Sequence, residues 1–266
     1  MRKALISIAL FFIASTASAK NLYIPVAGVA PGINNTLFRT DVRLFNPSFT
    51  KTIGISIHFL PQGWDGSNIS GRVVELEPRE MVVLNNIVEN FLQWPAPAIG
   101  AIRLDSDTDK SYAFIAESRT YTDSPNPAIP GTYGQFVPAL DPAGGLTASV
   151  ALHVTHSSDY TQGFRANAGM MNPNRVFTIV TPSLHRADGT VIAEGAPIQV
   201  EPMSMIQRSI PAMFGDGVSV DDGYIEFNSS YPVFTWVSVV DNRSSDGVFV
   251  LGEEDKATEE PLPPWN

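Results

Sequence analysis

The sequence predicts an all-β protein of two tandem Ig-like β-sandwich domains that arose from an internal duplication. Three observations predict it: a set of landmarks occurs twice, apolar and polar residues alternate in short segments, and turn residues separate these segments at intervals of about 8–12 residues. The landmarks Phe38-Arg39, Asn46-Pro47, Glu77-Pro78, Gly100-Ala101-Ile102 and Phe114 recur as Phe164-Arg165, Asn172-Pro173, Glu201-Pro202, Gly223-Tyr224-Ile225 and Phe234, at offsets that fall from 126 to 120 residues. A repeat of this length is a whole small domain. A single larger sandwich or barrel is the alternative, and the duplication argues against it.

Each predicted strand has one packed face and one solvated face. In 38–45 the even positions are apolar or small and most odd positions are polar, and 164–170 repeat this phase. The Asn-Pro pair that follows in each copy predicts the end of the strand, because proline cannot donate to a sheet ladder. Further strands are predicted at 53–59, 74–76, 81–84, 101–104, 112–121 and 135–137, and in the second copy at 198–200, 205–207, 224–227, 233–240 and 248–251.

One short helix is predicted in each copy. Asn86 with Glu89 three residues later has the pattern of a capping box, and Ile87, Phe91 and Leu92 form a short apolar face. The matching segment 210–214 predicts a single turn. Trp94 is expected to cap the first helix, and Trp236 is expected in the core.

The chain ends predict export and set the domain boundaries. Residues 1–19 have a basic start, an apolar run at 4–13 and the small residues Ala17-Ser18-Ala19, which together predict a secretory signal peptide cleaved near Ala19. The first domain is predicted at 20–140, a linker at 141–145, the second domain at 146–251 and an acidic, proline-rich tail at 252–266. The protein is therefore expected in the periplasm, at the cell surface or in the medium, with no insertion into a membrane.

Composition restricts the partners and the chemistry. The chain has no cysteine, so thiolate metal sites, cysteine nucleophiles and disulfides are excluded, and each domain relies on its own core. A formal net charge of −10 argues against nucleic acid as a partner. No cofactor motif is present.

Four strings resemble a known family: Phe-Arg-Thr-Asp-Val-Arg-Leu-Phe-Asn-Pro (38–47), Ser-Arg-Thr-Tyr-Thr (118–122), Gly-Thr-Tyr-Gly-Gln-Phe-Val-Pro (131–138) and Val-Ser-Val-Val-Asp-Asn-Arg-Ser-Ser-Asp (237–246). Together they resemble a tandem β-domain of uncharacterised secreted bacterial proteins, in some of which it accompanies a protease or another catalytic domain. The resemblance covers nearly the whole mature chain. It implies a fold and carries no activity or site, and here the tandem pair stands without a catalytic domain.

A ligand site is predicted around Trp64. Gln62, Trp64, Asp65 and Asn68 lie in a turn-rich loop whose counterpart at the tryptophan is Ala187, so the common fold does not require the indole. An exposed indole beside polar side chains can stack on the apolar face of a sugar ring while its neighbours bond the hydroxyls. Tyr121 and Tyr133, at the ends of the proline-rich loop 122–132, form a second candidate recognition surface. A Trp64 folded back onto the sheet edge is the structural alternative.

Metal and catalytic motifs are incomplete. His153 and His156 face opposite sides of a straight strand, so they share a metal only if the strand bends. The segment 105–116 begins like a calcium loop but has Lys110 and Ala116 where glycine and an acid are needed, and 241–247 is an oxygen-rich hairpin loop. The chain lacks a Gly-x-Ser-x-Gly elbow and a His-Glu-x-x-His motif. A pair of carboxylates could still meet in space, drawn from Glu75, Glu77, Glu117, Glu194 and Glu226.

The sequence therefore predicts a non-enzymatic exported binding or adhesion module, with carbohydrate as the favoured ligand and a polysaccharide or surface protein as partner. Two alternatives remain at this point: a carboxylate-dependent glycan hydrolase, and a structural or assembly protein of the cell surface.

Overall fold

The protein is all-β and its strands form two sheets. A computed structural model describes residues 20–106 and 114–256. The predicted signal peptide, most of the tail and part of the calcium-like loop, including Asp107 and Asp109, lie outside the described residues. None of the described helices is long and apolar enough to span a bilayer.

Residues 20–140, here called the first half, contain eight antiparallel strands. They are β1 (Lys20–Pro31), β2 (Leu37–Phe45), β3 (Ile53–Pro61), β4 (Arg72–Leu76), β5 (Met81–Leu84), β6 (Ala98–Ser106), β7 (Ile115–Asp123) and β8 (Thr132–Pro138). Their order in the sheet is β4-β3-β6-β1-β2-β7-β8, with β5 also paired to β2. The register of β1 shifts between Ile24 and Ala27, and β1 pairs with β6 along most of its length and with β2 at its end.

Residues 141–256, the second half, contain nine strands. They are β9 (Leu146–His156), β10 (Phe164–Asn172), β11 (Thr178–His185), β12 (Val191–Glu194), β13 (Ile198–Val200), β14 (Ser204–Ser209), β15 (Val220–Asp241), β16 (Gly247–Leu251) and β17 (Glu253–Glu254). The long strand β15 pairs with β9 and β11 through its first part and with β10 and β16 through its last part. In the first half two separate strands make the equivalent pairings: β6 pairs with β1 and β3, and β7 pairs with β2 and β8.

The strand register corrects one landmark of the sequence comparison. Phe45 of β2 lies opposite Ile115, and its counterpart Met171 of β10 lies opposite Phe234. Ile115, rather than Phe114, therefore matches Phe234 in the structure. By the same register Glu117 matches Trp236.

Two buried asparagines anchor corresponding loops. The Nδ2 of Asn46 donates to the carbonyl oxygens of Lys51, Leu76 and Glu77 at 2.8–3.0 Å, and its Oδ1 accepts from the backbone of Ser48. Asn172 makes the same set of contacts in the second half, to the carbonyl oxygens of Val176, Val200 and Glu201 and from the backbone of Asn174. The Asn-Pro pairs do end β2 and β10, but these asparagines also tie three chain segments together.

The short helical elements differ from a standard helix. Residues Ile87–Phe91 form a π-helical turn that follows Asn86 in a left-handed conformation (φ 44°). The Nδ2 of Asn86 donates to the Glu89 carboxylate at 2.6 Å, so the predicted residues do interact without forming a standard cap. The matching α1 (Ile210–Phe214) is a single turn capped by Ser209.

The two halves meet through apolar side chains. Buried residues of the first half form one cluster with five residues of the second half: Met171, Met203, Met205, Phe234 and Trp236. A second cluster lies inside the second half. Between the halves, Pro142–Gly144 form a 3-10 turn in which Asp141 caps the backbone of Ala143. Trp236 is fully buried, as predicted, and it lies at this junction.

Candidate functional site: the Trp64 loop and a cavity between the halves

The Trp64 loop is hydrogen-bonded to the second half. The backbone N–H of Gly63 donates to Met205, that of Gly66 donates to Pro202, and the Oε1 of Gln62 accepts from the backbone of Gln207 at 3.1 Å. Gln62 therefore has a structural partner. Asp65 accepts from the Ser67 N–H, and hydrogen bonding from the side chain and the backbone of Ser67 lowers the pKa of its carboxyl group. Asn68 is exposed.

Trp64 itself remains open to solvent, with 62% of its surface exposed. It contacts Trp94 edge-on, with ring centroids 6.2 Å apart and planes at 75°. Trp94 packs in turn on Phe59, and its backbone N–H closes the π-helical turn by donating to Val88. The two indoles form an angled corner rather than a flat platform.

The two predicted tyrosines do not form a joint surface. Tyr121 pairs with Gly134 and Tyr133 pairs with Thr122, so adjacent residues place the two phenol rings on opposite faces of the sheet. The guanidinium groups of Arg39 and Arg119 lie 4.7 and 5.0 Å from the Tyr121 ring centroid, and its hydroxyl donates to Asp41. The two rings therefore lie on different faces at the base of the loop 122–132, and a recognition surface at this loop stays a prediction.

A cavity with a volume of about 500 Å³ lies between the halves. Its first-half wall is mainly apolar, from Val26, Ala30, Ile33, Phe38 and Ile99. Its second-half wall carries Arg165, Asn167, Gln207 and Ser238. An apolar wall facing a few convergent polar groups is the usual composition of a small-molecule site, and the volume is in the usual range.

Two polar contacts at the cavity join the halves. The Nδ2 of Asn34 donates to the carbonyl oxygen of Asn242 at 2.9 Å, and the hydroxyl of Ser238 donates to Gln135 at 2.9 Å. The side chains of Gln135 and Ser238 both line the cavity. These contacts hold the two walls in a fixed relation, so a ligand would meet a preformed site.

Arg165 is the one charged side chain among the lining residues. Its Nη1 donates to the carbonyl oxygen of Asp241 at 3.3 Å and to the Oδ1 of Asn242 at 3.2 Å. Within the described residues no carboxylate lies within ion-pair distance of it. Desolvation by burial lowers the pKa of the guanidinium, and the charge of Asp241 partly offsets that effect. An anionic group in the cavity would supply the missing counter-ion.

The first half shows what Arg165 lacks. Its counterpart Arg39 binds both carboxylate oxygens of Asp123, at 2.8 and 3.0 Å. The register that places Arg39 opposite Tyr121 and Arg165 opposite Val240 makes Asn242 the counterpart of Asp123. At the equivalent register position the second half therefore has an arginine beside a neutral amide, where the first half has an arginine beside a carboxylate.

Sequence reasoning missed this site, because the difference between Arg39 and Arg165 depends on the strand register. Arg39 and Arg165 were matched as residues of the common fold. An offset of 120 sets Asp123 against Arg243, whereas the observed offset of 119 sets it against Asn242. Only with the strand register does the lost counter-ion become visible.

The other candidate catalytic and metal-binding residues do not line this cavity. Glu194 and Glu226 flank Ser183 on neighbouring strands and neither lines the cavity. His153 is exposed in a left-handed bulge while His156 is buried. Asp241 accepts from Arg243 and Ser244 within its own loop, which lowers the pKa of its carboxyl group against the opposing effect of burial. No cluster of three or more potential metal ligands occurs in residues 20–106 and 114–256.

Comparison of this chain with protein-family models, with curated proteins and with solved structures gives no match, so the functional argument rests on the geometry above.

Proposed function

We propose that this chain is an exported, non-enzymatic binding module whose two halves are Ig-like β-sandwiches derived from one duplicated ancestor. The equivalent strand pairings support the duplication, as do the matching bonds of Asn46 and Asn172. Arg79 and Met203, at corresponding positions after the Glu-Pro pairs, share a left-handed backbone with φ of 64° and 46°. The family resemblance and the signal-like N-terminus support the same proposal.

The ligand is a small amphiphilic anion, with an apolar body against the first-half wall and a carboxylate, sulfate or phosphate against Arg165. One observation carries this assignment: Arg165 lines an apolar cavity and has lost the carboxylate that its counterpart Arg39 retains. Charge-assisted hydrogen bonds in such partly buried places contribute about 1.5–3 kcal/mol, while the apolar wall contributes in proportion to the area buried.

Replacing Arg165 by glutamine is expected to weaken the binding of decanoate at least about tenfold, because the anion then has no cationic partner. Calorimetric titration of residues 20–266 with decanoate, 1-decanol and decylamine measures this effect. Arg186→Gln removes the same charge from an exposed position of the same half and should leave binding unchanged. Equal binding of the alcohol and the carboxylate, or an Arg165 variant that binds decanoate as well as the parent, would contradict the assignment.

Carbohydrate binding at Trp64 is a second candidate function, favoured by the exposed indole and its edge contact with Trp94. If it is correct, Trp64→Ala should abolish retention on an immobilised polysaccharide, because one stacked ring carries much of the contact area in such sites. Affinity electrophoresis against a polysaccharide panel provides the measurement. Phe49→Ala, at an aromatic residue that is 80% exposed elsewhere, is the control. Retention that survives in the Trp64 variant would assign sugar binding to another surface.

A further inference from the structure

The first half exposes a broad face with several large apolar side chains. This outer face is the solvent side of β5, β2, β7 and β8, where Met81, Val83, Ile115 and Phe136 are 40–58% exposed. Phe45 lies between Met81 and Ile115 in the register. Contiguous exposed apolar surface of this kind on a folded domain marks an interaction site more often than scattered single residues do.

The same face of the second half is buried. The register matches the outer-face residues to the junction residues as follows: Met81 to Met205, Phe45 to Met171, Ile115 to Phe234, Glu117 to Trp236 and Phe136 to Phe249. Four of these five second-half residues are buried in the shared core cluster, and Phe249 packs against it. One half therefore covers a face that the other half leaves open.

What covers the face in the second half is the sheet surface of β1, β3 and β6. Arg103 of β6 contacts the sulfur of Met203 at 3.0 Å, and Tyr23 and Leu60 belong to the shared cluster. In register, Val150 on β9, Ser183 on β11 and Tyr224 and Glu226 on β15 correspond to Tyr23, His58, Ala101 and Arg103, and the four second-half residues are only partly buried. The counterpart of Leu60 is His185, which is buried. We call this second-half surface the free face. Within residues 20–106 and 114–256 the chain thus presents two surfaces left uncovered by its other half, the outer face and the free face.

The two open surfaces have opposite charge. The outer face carries or borders four arginines, Arg39, Arg43, Arg79 and Arg119, against three acids, Asp41, Glu117 and Asp123, and Arg39 is paired with Asp123. The free face and its edge strands carry Glu194, Glu226, Glu253 and Glu254, of which Glu254 is paired with Lys256. Complementary charge at two otherwise apolar or neutral surfaces favours their encounter and fixes their orientation.

We propose that copies of this chain associate head to tail, with the outer face of one copy covered by the free face of the next. The contact repeats between molecules the relation that the two halves already have within one molecule. It is heterologous, because different surfaces meet, and such contacts generate rings or open-ended arrays rather than twofold dimers. This inference does not depend on the ligand assigned to the cavity.

Sedimentation velocity of residues 20–266 from about 1 µM to about 500 µM tests the proposal, because weak but specific contacts lie in that range. The parent protein should form dimers and larger species, and added salt should reduce them. Phe136→Glu blocks the outer face and Glu226→Arg blocks the free face, so each variant alone should be monomeric. Val73→Glu places the same new charge at a residue that is 62% exposed on β4 and should assemble like the parent.

The decisive measurement mixes the two blocked variants. Each retains one intact surface, so an equimolar mixture should form a one-to-one dimer that does not grow further. Thermal melts of each variant verify folding beforehand. A parent that stays monomeric throughout the range would overturn the proposal and leave the outer face to a different partner. A mixture that stays monomeric, or assembly lost equally in Val73→Glu, would overturn it as well.

Discussion

Replacing Asn46 by alanine is expected to lower the free energy of unfolding by about 3 kcal/mol, and Asn172→Ala should have the same effect. Each side chain is fully buried, and each binds three carbonyl oxygens from two separate segments. Removing the amide leaves those buried acceptors without a donor, and an unsatisfied buried polar group costs about 1–3 kcal/mol. Urea unfolding followed by far-ultraviolet circular dichroism measures the change.

The control for this prediction is Asn90→Ala. Asn90 is exposed and its Nδ2 makes a single bond, to the carbonyl oxygen of Asn85, so its loss should stay within about 0.5 kcal/mol. Because the halves share one apolar cluster, the Asn46 and Asn172 variants should each shift a single transition of the whole chain. A loss below about 1 kcal/mol at Asn46 would show that water satisfies the carbonyls instead.

The fold class follows from the sequence because strand alternation and turn chemistry act locally. The alternating segment 38–45 lies within β2, and the two Asn-Pro pairs lie where β2 and β10 end. The role of Asn46 could not be predicted in the same way. Its three acceptors belong to Lys51 and to the distant Leu76 and Glu77, and only the folded chain brings them within reach.

In the candidate sites, too, some features follow from the local sequence and others depend on distant parts of the chain. Exposure of Trp64 could be predicted because its loop is rich in turn residues and its counterpart is alanine. The partner of Gln62 could not, because it lies in the other half. Arg165 has the same residue type as Arg39, so only the pairing of strands reveals that its side-chain partner is an amide where that of Arg39 is a carboxylate. Cavities and surfaces between the halves depend on how two sheets meet, which no local pattern specifies.

Gly169→Ala is the second change with a large expected effect. Gly169 lies opposite Trp236 in the pairing of β10 with β15, and a Cβ added there would overlap Cζ2 and Cε2 of the indole. The ring is fully buried, stacks near Phe249 and donates to Gln207, so it has no free space into which it can move. Overpacking of a filled core costs about 1–3 kcal/mol, and the upper end of that range is expected here.

The matched control is Gly54→Ala, where the nearest atom to the new Cβ would be the Val73 side chain at 3.9 Å. That variant should change the unfolding free energy by less than about 0.5 kcal/mol, or stabilise slightly by restricting the unfolded chain. Thermal unfolding of both variants gives the comparison. Trp236→Leu alone should destabilise by about 3 kcal/mol through the cavity it leaves.

The double variant Gly169→Ala with Trp236→Leu separates a local clash from a general weakness of the junction. Once the indole is gone, the added methyl group no longer overlaps a ring and instead fills part of the vacated space. The double variant should therefore be no less stable than Trp236→Leu alone, which gives a coupling energy of about 2–3 kcal/mol. Strict additivity of the two losses would mean that Gly169 is needed for its backbone and not for the space it leaves to Trp236.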